Sequence, residues 1–320
     1  MSWLLQAAQP SAGVYVALGL SVLYVVLFVG LMYAFMVVNP VANVSIHNRN
    51  HPRIIVRRTL GVLTCSAVSL ALTAATLRAW QKRDSTTNSS AADTPGGAVA
   101  GGSGGGGGGK GWLQVGEQLG LAAHRAPGSL VVGLVLTAVL YTGPLVLDYM
   151  DGSFTWANVI RFAGDLRTLR IKQRDYVVGP VSEELVFRAS IVPLWLATGI
   201  PPHLCIWVSP VLFGLAHLHQ GYRLLAEGTH SVKQIIASTA LQLAYTTVFG
   251  WFAVAIFIRT HSVAGPIAAH FFCNVQGLPD FGRVSEFQGS VRYALWLAFG
   301  LGALGFALLF EPMTRPGVFV

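Results

Sequence analysis

Charge is the scarcest ingredient of this sequence. Asp, Glu, Lys and Arg together make up 11% of its 320 residues, against about 25% in soluble globular domains. That shortage excludes a chain that wraps its whole surface in water. Cysteine is nearly missing as well. Cys65, Cys205 and Cys273 each sit in an apolar run, and no two stand at metal-ligand spacing, which excludes a disulfide framework or a cysteine-built zinc site. All three are expected to pack as small apolar residues. Acidic residues are outnumbered, 13 against 21 basic, for a formal net charge of +8. In a soluble protein that excess would raise nucleic acid as a partner. Here the basic residues lie mostly in short loops between apolar runs, where they orient the chain in a bilayer and meet anionic head groups, so no nucleic-acid partner is expected. No basic region precedes the first apolar run, which exceeds the core of a signal peptide and is expected to be a retained span. The final residues Gly317, Val318, Phe319 and Val320 place no cysteine four from the end, so prenylation of this chain there is not expected.

What the chain has in quantity is apolar sequence: 53% hydrophobic residues and a mean hydropathy of +0.58. A helix needs about 20 apolar residues to cross a bilayer. Suitable runs cover 12–38, 59–77, 129–147, 234–258 and 293–310. Three more, 176–200, 203–217 and 262–278, are interrupted by polar residues. The expected fold is therefore all-α, a polytopic membrane protein of about eight transmembrane helices. The organisation divides into an N-terminal pair of spans (1–77), a disordered Gly/Ser-rich lumenal loop (78–127) and a core with the remaining spans (128–320). The loop's glycine run, 101–109 broken only by Ser103, cannot bury apolar surface. It does not cradle phosphate, because no strand precedes it and no Gly-Lys-Ser/Thr follows. Asn88-Ser89-Ser90 within it is a glycosylation sequon, and a short surface helix is expected over 112–126. Arg49, Arg53, Arg57 and Arg58 follow the first span, Arg161, Arg167, Arg170, Lys172 and Arg174 the third. Arg223 with Lys233, and Arg283 with Arg292, fall on the same side, which the positive-inside rule makes cytosolic.

The interrupted segments carry the chemistry. Ionisable groups at membrane depth cost about 2.5–3.5 kcal/mol each on insertion scales and need a reason. In Glu183-Glu184-Leu185-Val186-Phe187-Arg188, Glu184 and Arg188 stand four apart and can pair. Glu183, about 100° round the helix, is left free. One reading is a buried ion network that holds the bundle together; the other is a catalytic carboxylate. Phe213-Gly214-Leu215-Ala216-His217 ends a short span with a histidine, either an interface anchor or a catalyst, and His219 beyond it reads as an ordinary loop residue. In His270-Phe271-Phe272-Cys273-Asn274 the histidine and the asparagine share a helix face, for a helix–helix hydrogen bond or for chemistry. His261 belongs to a solvated turn.

Taken together, a carboxylate with histidines in an apolar shell suits activation of water. A second histidine beside an amide suits stabilisation of an oxyanion. Two histidines and a glutamate can also hold zinc, but no His-Glu-x-x-His helix is present, so no metal site or cofactor is expected. There is no Gly-x-Ser-x-Gly elbow around Ser182. Cys273 points about 60° away from His270 on an ideal helix and is expected to pack.

At these residues the chain resembles the type II CAAX prenyl endopeptidases, Ras-converting proteases of the glutamate intramembrane protease superfamily. The resemblance covers residues 174–282 and three ordered motifs, Glu-Glu-x-x-x-Arg, Phe-x-x-x-His and His-x-x-x-Asn; the stretches 180–189 and 270–274 and the passage Phe257-Ile258-Arg259-Thr260 look like its eukaryotic branch. It implies that Glu183 and His217 activate water without a metal, that His270 and Asn274 form the oxyanion hole, and that Glu184, Arg188 and Phe213 support the site. It further implies removal of the last three residues from farnesylated or geranylgeranylated CAAX proteins such as Ras-like GTPases, at the endoplasmic reticulum membrane with the active site facing the cytosol. Two alternatives stay open: a related membrane protease with a non-prenylated substrate, and a transporter or scaffold with a buried Glu/His network.

Overall fold

A computed structural model describes residues 12–38, 40–42, 44–45, 48–92, 107–153, 164–165, 168–228 and 230–315. Within them the chain is an all-α, multi-pass membrane protein. Four helices are long and apolar enough to cross a bilayer: α1 (Ala12–Val37), α2 (its stretch Pro52–Arg83), α9 (Val232–Thr260) and α12 (Gly289–Met313). The pair α4 (Ala126–Leu140) and α5 (Thr142–Met150), bent by 62°, is apolar and long enough together to make a broken span or a re-entrant loop. Gly143-Pro144 follows the break at Tyr141. Pro144 has no N–H for the carbonyl four residues back, and its ring crowds that turn, which bends the helix here.

The three polar-interrupted segments also fold as helices within the bundle. Residues 169–197 form a continuous helical run, α6; α7 is Pro202–Ala216 and α10 is Ala264–Gln276. In α6 two wide π-helical stretches, Gln173–Val178 and Leu185–Ile191, each come just before a proline, Pro180 and Pro193. The wider turn keeps each proline ring off the carbonyl it would otherwise strike, so the run continues through both. Smaller elements complete the chain: α3 (Gly107–Gln118), the amphipathic α8 (Leu218–Glu227) and the single turn α11 (Phe281–Val284).

The structure departs from the expected 78–127 loop at both ends. With no glycine or proline between Gly61 and Pro95, nothing stops α2 at Leu77, and its helix runs on to Ala92 through the sequon. Helix α3 begins at Gly107, inside the glycine run, and buries Val115; Gly111 abuts the Arg78 guanidinium, which a side chain there would displace. The intervening 93–106 lie outside the described residues, as do Arg161 and Arg167 of the third basic loop.

Lipid removes the usual hydrophobic drive between helices, so close approach and polar contacts hold the bundle. Gly61 rests on the backbone of Leu31 and Met32, Gly133 on that of Gly265, and Gly302 on Val139. Hydroxyls bridge the same interfaces: Tyr24 to Thr73 at 2.9 Å and Ser129 to Thr260 at 2.9 Å. The Trp195 indole donates to Ser21 at 2.9 Å. The core is lined by Phe28, Cys65, Phe187, Ile191, Leu194 and Phe213. Leu63, Leu297, Leu304 and Leu308 point outward and exposed, as a lipid-facing surface requires.

Candidate active site

Helices α6, α7, α9 and α10, with parts of α1, α2, α4 and α8, line a cavity of about 880 Å³. Its wall includes Glu183, Phe213, His217, His270 and Asn274. The three sequence motifs, spread over 92 positions from Glu183 to Asn274, therefore meet in one place. The adjacent glutamates separate by role of position. Glu183 faces the cavity with its side chain 19% exposed, whereas Glu184 is fully buried and lies behind the wall.

Glu184 is the hub of that second layer. Its Oε1 accepts from Arg188 Nη1 at 3.0 Å and from His270 Nδ1 at 2.7 Å. A charge pair taken out of water is tolerated only with further hydrogen bonds and good geometry. Here Arg188 adds its guanidinium face, 4.5 Å from the Phe213 ring and 5.6 Å from that of Phe249, a cation–π cradle that partly replaces hydration. Glu184 Oε2 and Arg188 Nε and Nη2 remain without partners. Gly250 makes room for this cluster: a Cβ there would stand 2.5 Å from Pro210 and 3.3 Å from Arg188 Nη2.

His270 stands between the two carboxylates. Because Nδ1 contacts an ion-paired carboxylate, Nδ1–H donates and Glu184 accepts. Nε2 then points to the cavity side, 3.7 Å from Glu183 Oε2. The ring is wedged against Phe249, 4.7 Å away, and Phe213, 6.1 Å away. His217 caps the end of α7, its Nδ1 2.9 Å from the Phe213 carbonyl. A carbonyl only accepts, so Nδ1 carries the proton and Nε2 offers a lone pair. No hydrogen bond or ion pair joins His217 to Glu183 among the described residues; both reach the cavity from opposite helices. Asn274 donates one amide hydrogen to the Asp175 carbonyl at 2.9 Å, leaving the second hydrogen free.

Several wall residues had no signal in the sequence. Phe249 and Tyr245 are apolar or aromatic positions in an apolar span. His219 is not an ordinary loop residue. It is half-buried on α8, 2.7 Å from the Ala216 carbonyl and edge-on to Tyr33, and burial pulls its pKa down to about 4. Cys273 does not simply pack, since it lines the cavity. His261 is exposed at the α9 terminus in a left-handed conformation. Among the described residues no group of three or more His, Cys, Asp or Glu side chains is arranged to hold a metal ion.

The arrangement has counterparts among known proteins. The family model described as type II CAAX prenyl endopeptidase Rce1-like matches residues 174–276, the stretch that supplies Glu183, His217, His270 and Asn274. Over those residues the chain is similar to the Rce1-like family. Curated relatives agree. CAAX prenyl protease 2 of Arabidopsis thaliana is 34% identical over 208 residues, covering 58% of this chain and 64% of the relative. The human protein of that name is 34% identical over 200 residues, covering 58% and 57%. The probable CAAX prenyl protease 2 of Schizosaccharomyces pombe is 29% identical over 289 residues, 90% of each chain. The chain thus spans a little under two thirds of the plant relative and most of the fission yeast one. No solved structure matches. The matched segment supplies most of the cavity wall, and Phe28 and Met32 of α1, Arg58, Thr59 and Val62 of α2 and Leu140 of α4 complete it.

Proposed function

We propose that this chain is an intramembrane endopeptidase that removes the last three residues from prenylated CAAX proteins. The observation that carries the reading is one cavity wall shared by Glu183, His217, His270 and Asn274, in a domain whose relatives are named CAAX prenyl proteases. The reaction is hydrolysis of an amide. Water between Glu183 and His217 gives a proton to Glu183 or to the free Nε2 of His217. The resulting hydroxide attacks the scissile carbonyl, and the developing oxyanion takes hydrogen bonds from His270 and from the free amide hydrogen of Asn274. Donation by His270 requires a proton on Nε2 as well as Nδ1. The C–N bond then breaks as the held proton passes to the departing amine. Glu184 and Arg188 orient His270, and Phe213 supports both histidines. These groups hold and move the proton themselves, so activity is expected to survive chelators.

The cavity wall includes the exposed apolar residues Leu241 and Val248 of α9, a span long enough to meet lipid. This suits a substrate whose lipid stays in the membrane while its tail enters. Arginines from three separate loops and helix ends gather at one end of it, Arg49 and Arg58, Arg174, and Arg223. By the positive-inside rule that end faces the cytosol, where Ras-like GTPases with farnesyl or geranylgeranyl tails reside, and the membrane would be that of the endoplasmic reticulum. The test is Glu183→Gln in purified protein on a farnesylated CAAX peptide. Loss of cleavage by about 10²-fold or more at unchanged thermal stability is expected for a missing general base. Cleavage at the parent rate would refute the mechanism.

A further inference from the structure

The four arginines at the cavity end serve no step of the hydrolysis just described, yet they are costly to assemble. Arg49, Arg58, Arg174 and Arg223 all line the cavity, where the carboxylates among the described residues are Asp175 and Glu183. Two of the arginines are satisfied by Asp175: Arg49 at 3.2 Å, and Arg174 through Nε at 2.7 Å and Nη2 at 2.8 Å. Arg174 also donates to the Arg49 carbonyl. Arg223 pairs with Glu227 on its own helix. Arg58 has no carboxylate among the described residues; it donates to the Met32 thioether at 3.3 Å and leans on the Tyr33 ring at 5.9 Å. The Tyr33 hydroxyl beside it is buried without a hydrogen-bond partner.

At the arginine end itself, Arg49, Arg58, Arg174 and Arg223 are matched by Asp175 and Glu227, a formal excess of +2. Burial and the nearness of Arg174 lower the Arg49 pKa, against the opposing pull of Asp175. This is a site short of an anion. It is also tied to the catalytic wall, because the Asp175 residue that holds Arg49 and Arg174 is the one whose carbonyl anchors Asn274. An anion bound there lies one residue removed from an oxyanion donor.

We propose that this arginine end, with Arg58 as its unneutralised member, binds the free α-carboxylate of the tail being cleaved. The inference rests on the peptidase reading and deepens it. Extended chain advances about 3.3–3.6 Å per residue, so a three-residue leaving segment places its carboxylate roughly 10 Å beyond the cut bond. An anion site at one end of a cavity, and catalytic groups farther along it, would set how many residues leave. Guanidinium suits this task because its planar fork matches a carboxylate bidentately.

The test compares farnesylated peptides that end in a free carboxylate or in an amide, with full-length protein in phosphatidylcholine nanodiscs. Binding is measured in a Glu183→Gln background and hydrolysis in the parent. The acid is expected to bind about 10-fold or more tighter than the amide, the scale of a charge-assisted hydrogen bond. Arg58→Gln should remove that preference, Arg58→Lys should restore part of it, and amide binding should stay the same in all three, which shows that the variants are folded. Equal binding of acid and amide, or a preference that survives Arg58→Gln, overturns the proposal. If the parent cleaves neither peptide, the peptidase reading fails while the binding comparison still decides this one. If Arg58→Gln changes behaviour only when phosphatidylserine is added, with acid and amide bound alike, the anion is a lipid head group and the proposal is overturned.

Discussion

Replacing Glu184 by Gln isolates the buried charge pair from the chemistry it supports. The substitution keeps the shape and an acceptor oxygen but leaves the Arg188 guanidinium, 1% exposed, with no counter-ion in direct contact. Removing one member of a buried pair costs about 3–5 kcal/mol, because the remaining charge stays desolvated. The cation–π contacts with Phe213 and Phe249 contribute about 1–2 kcal/mol each at most, and they are present before and after the change. The expected loss is therefore near the lower figure, about 3 kcal/mol, or roughly two orders of magnitude in the folding equilibrium. A double variant, Glu184→Gln with Arg188→Met, removes the stranded charge and should recover most of that stability. Proteolysis should not recover with it, because His270 would still lack a charged acceptor for Nδ1. The assay is denaturant unfolding in detergent for all three proteins beside cleavage of a farnesylated peptide. If the single variant is as stable as the parent, the pair is not the buried hub described. If the double variant regains activity, Glu184 does not act through His270.

Other outcomes follow from particular contacts. Gly250→Leu drives a side chain into Pro210 and Arg188 and should cost about 1–3 kcal/mol by overpacking together with activity, read as a lowered melting temperature; Gly250→Ala should lie between it and the parent. His219, whose pKa burial lowers from 6.5 to about 4, resists protonation when folded. Its contribution to stability is complete above pH 6.5 and is lost as pH falls from there toward 4, so the melting temperature of the parent should drop between pH 7 and 5 more steeply than that of His219→Gln. Phe249→Leu removes a ring from both His270 and Arg188 and should slow hydrolysis while leaving insertion into the membrane unchanged, measured as kcat on the peptide at matched protein levels.

The membrane class of this protein was legible from composition, since 11% charged residues cannot cover a water-facing surface. The eligible long spans were legible too, because hydropathy over a 20-residue window reports directly on the cost of burying a helix in lipid. The boundary at Leu77 was not. Apolarity ended there, but nothing in the following residues breaks a helix, and α2 continues to Ala92. At the site, local spacing sufficed for whatever lies within one helix turn: the Glu184–Arg188 pair and the shared face of His270 and Asn274 are consequences of a 3.6-residue period. What spacing could not supply is contact between helices. That His270 Nδ1 reaches Glu184, 86 positions away, that Phe249 closes over both His270 and Arg188, and that Arg58 meets Arg174 and Arg223 at one cavity end depend on how the helices cross. Those crossings are set by small-residue contacts such as Gly133 on Gly265 and Gly250 on Pro210, which a sequence records only as scattered glycines. The sequence by itself determined which polar groups had to leave the lipid, because exposure there is too costly. Only the tertiary structure decided which of them face the cavity and which stand behind its wall.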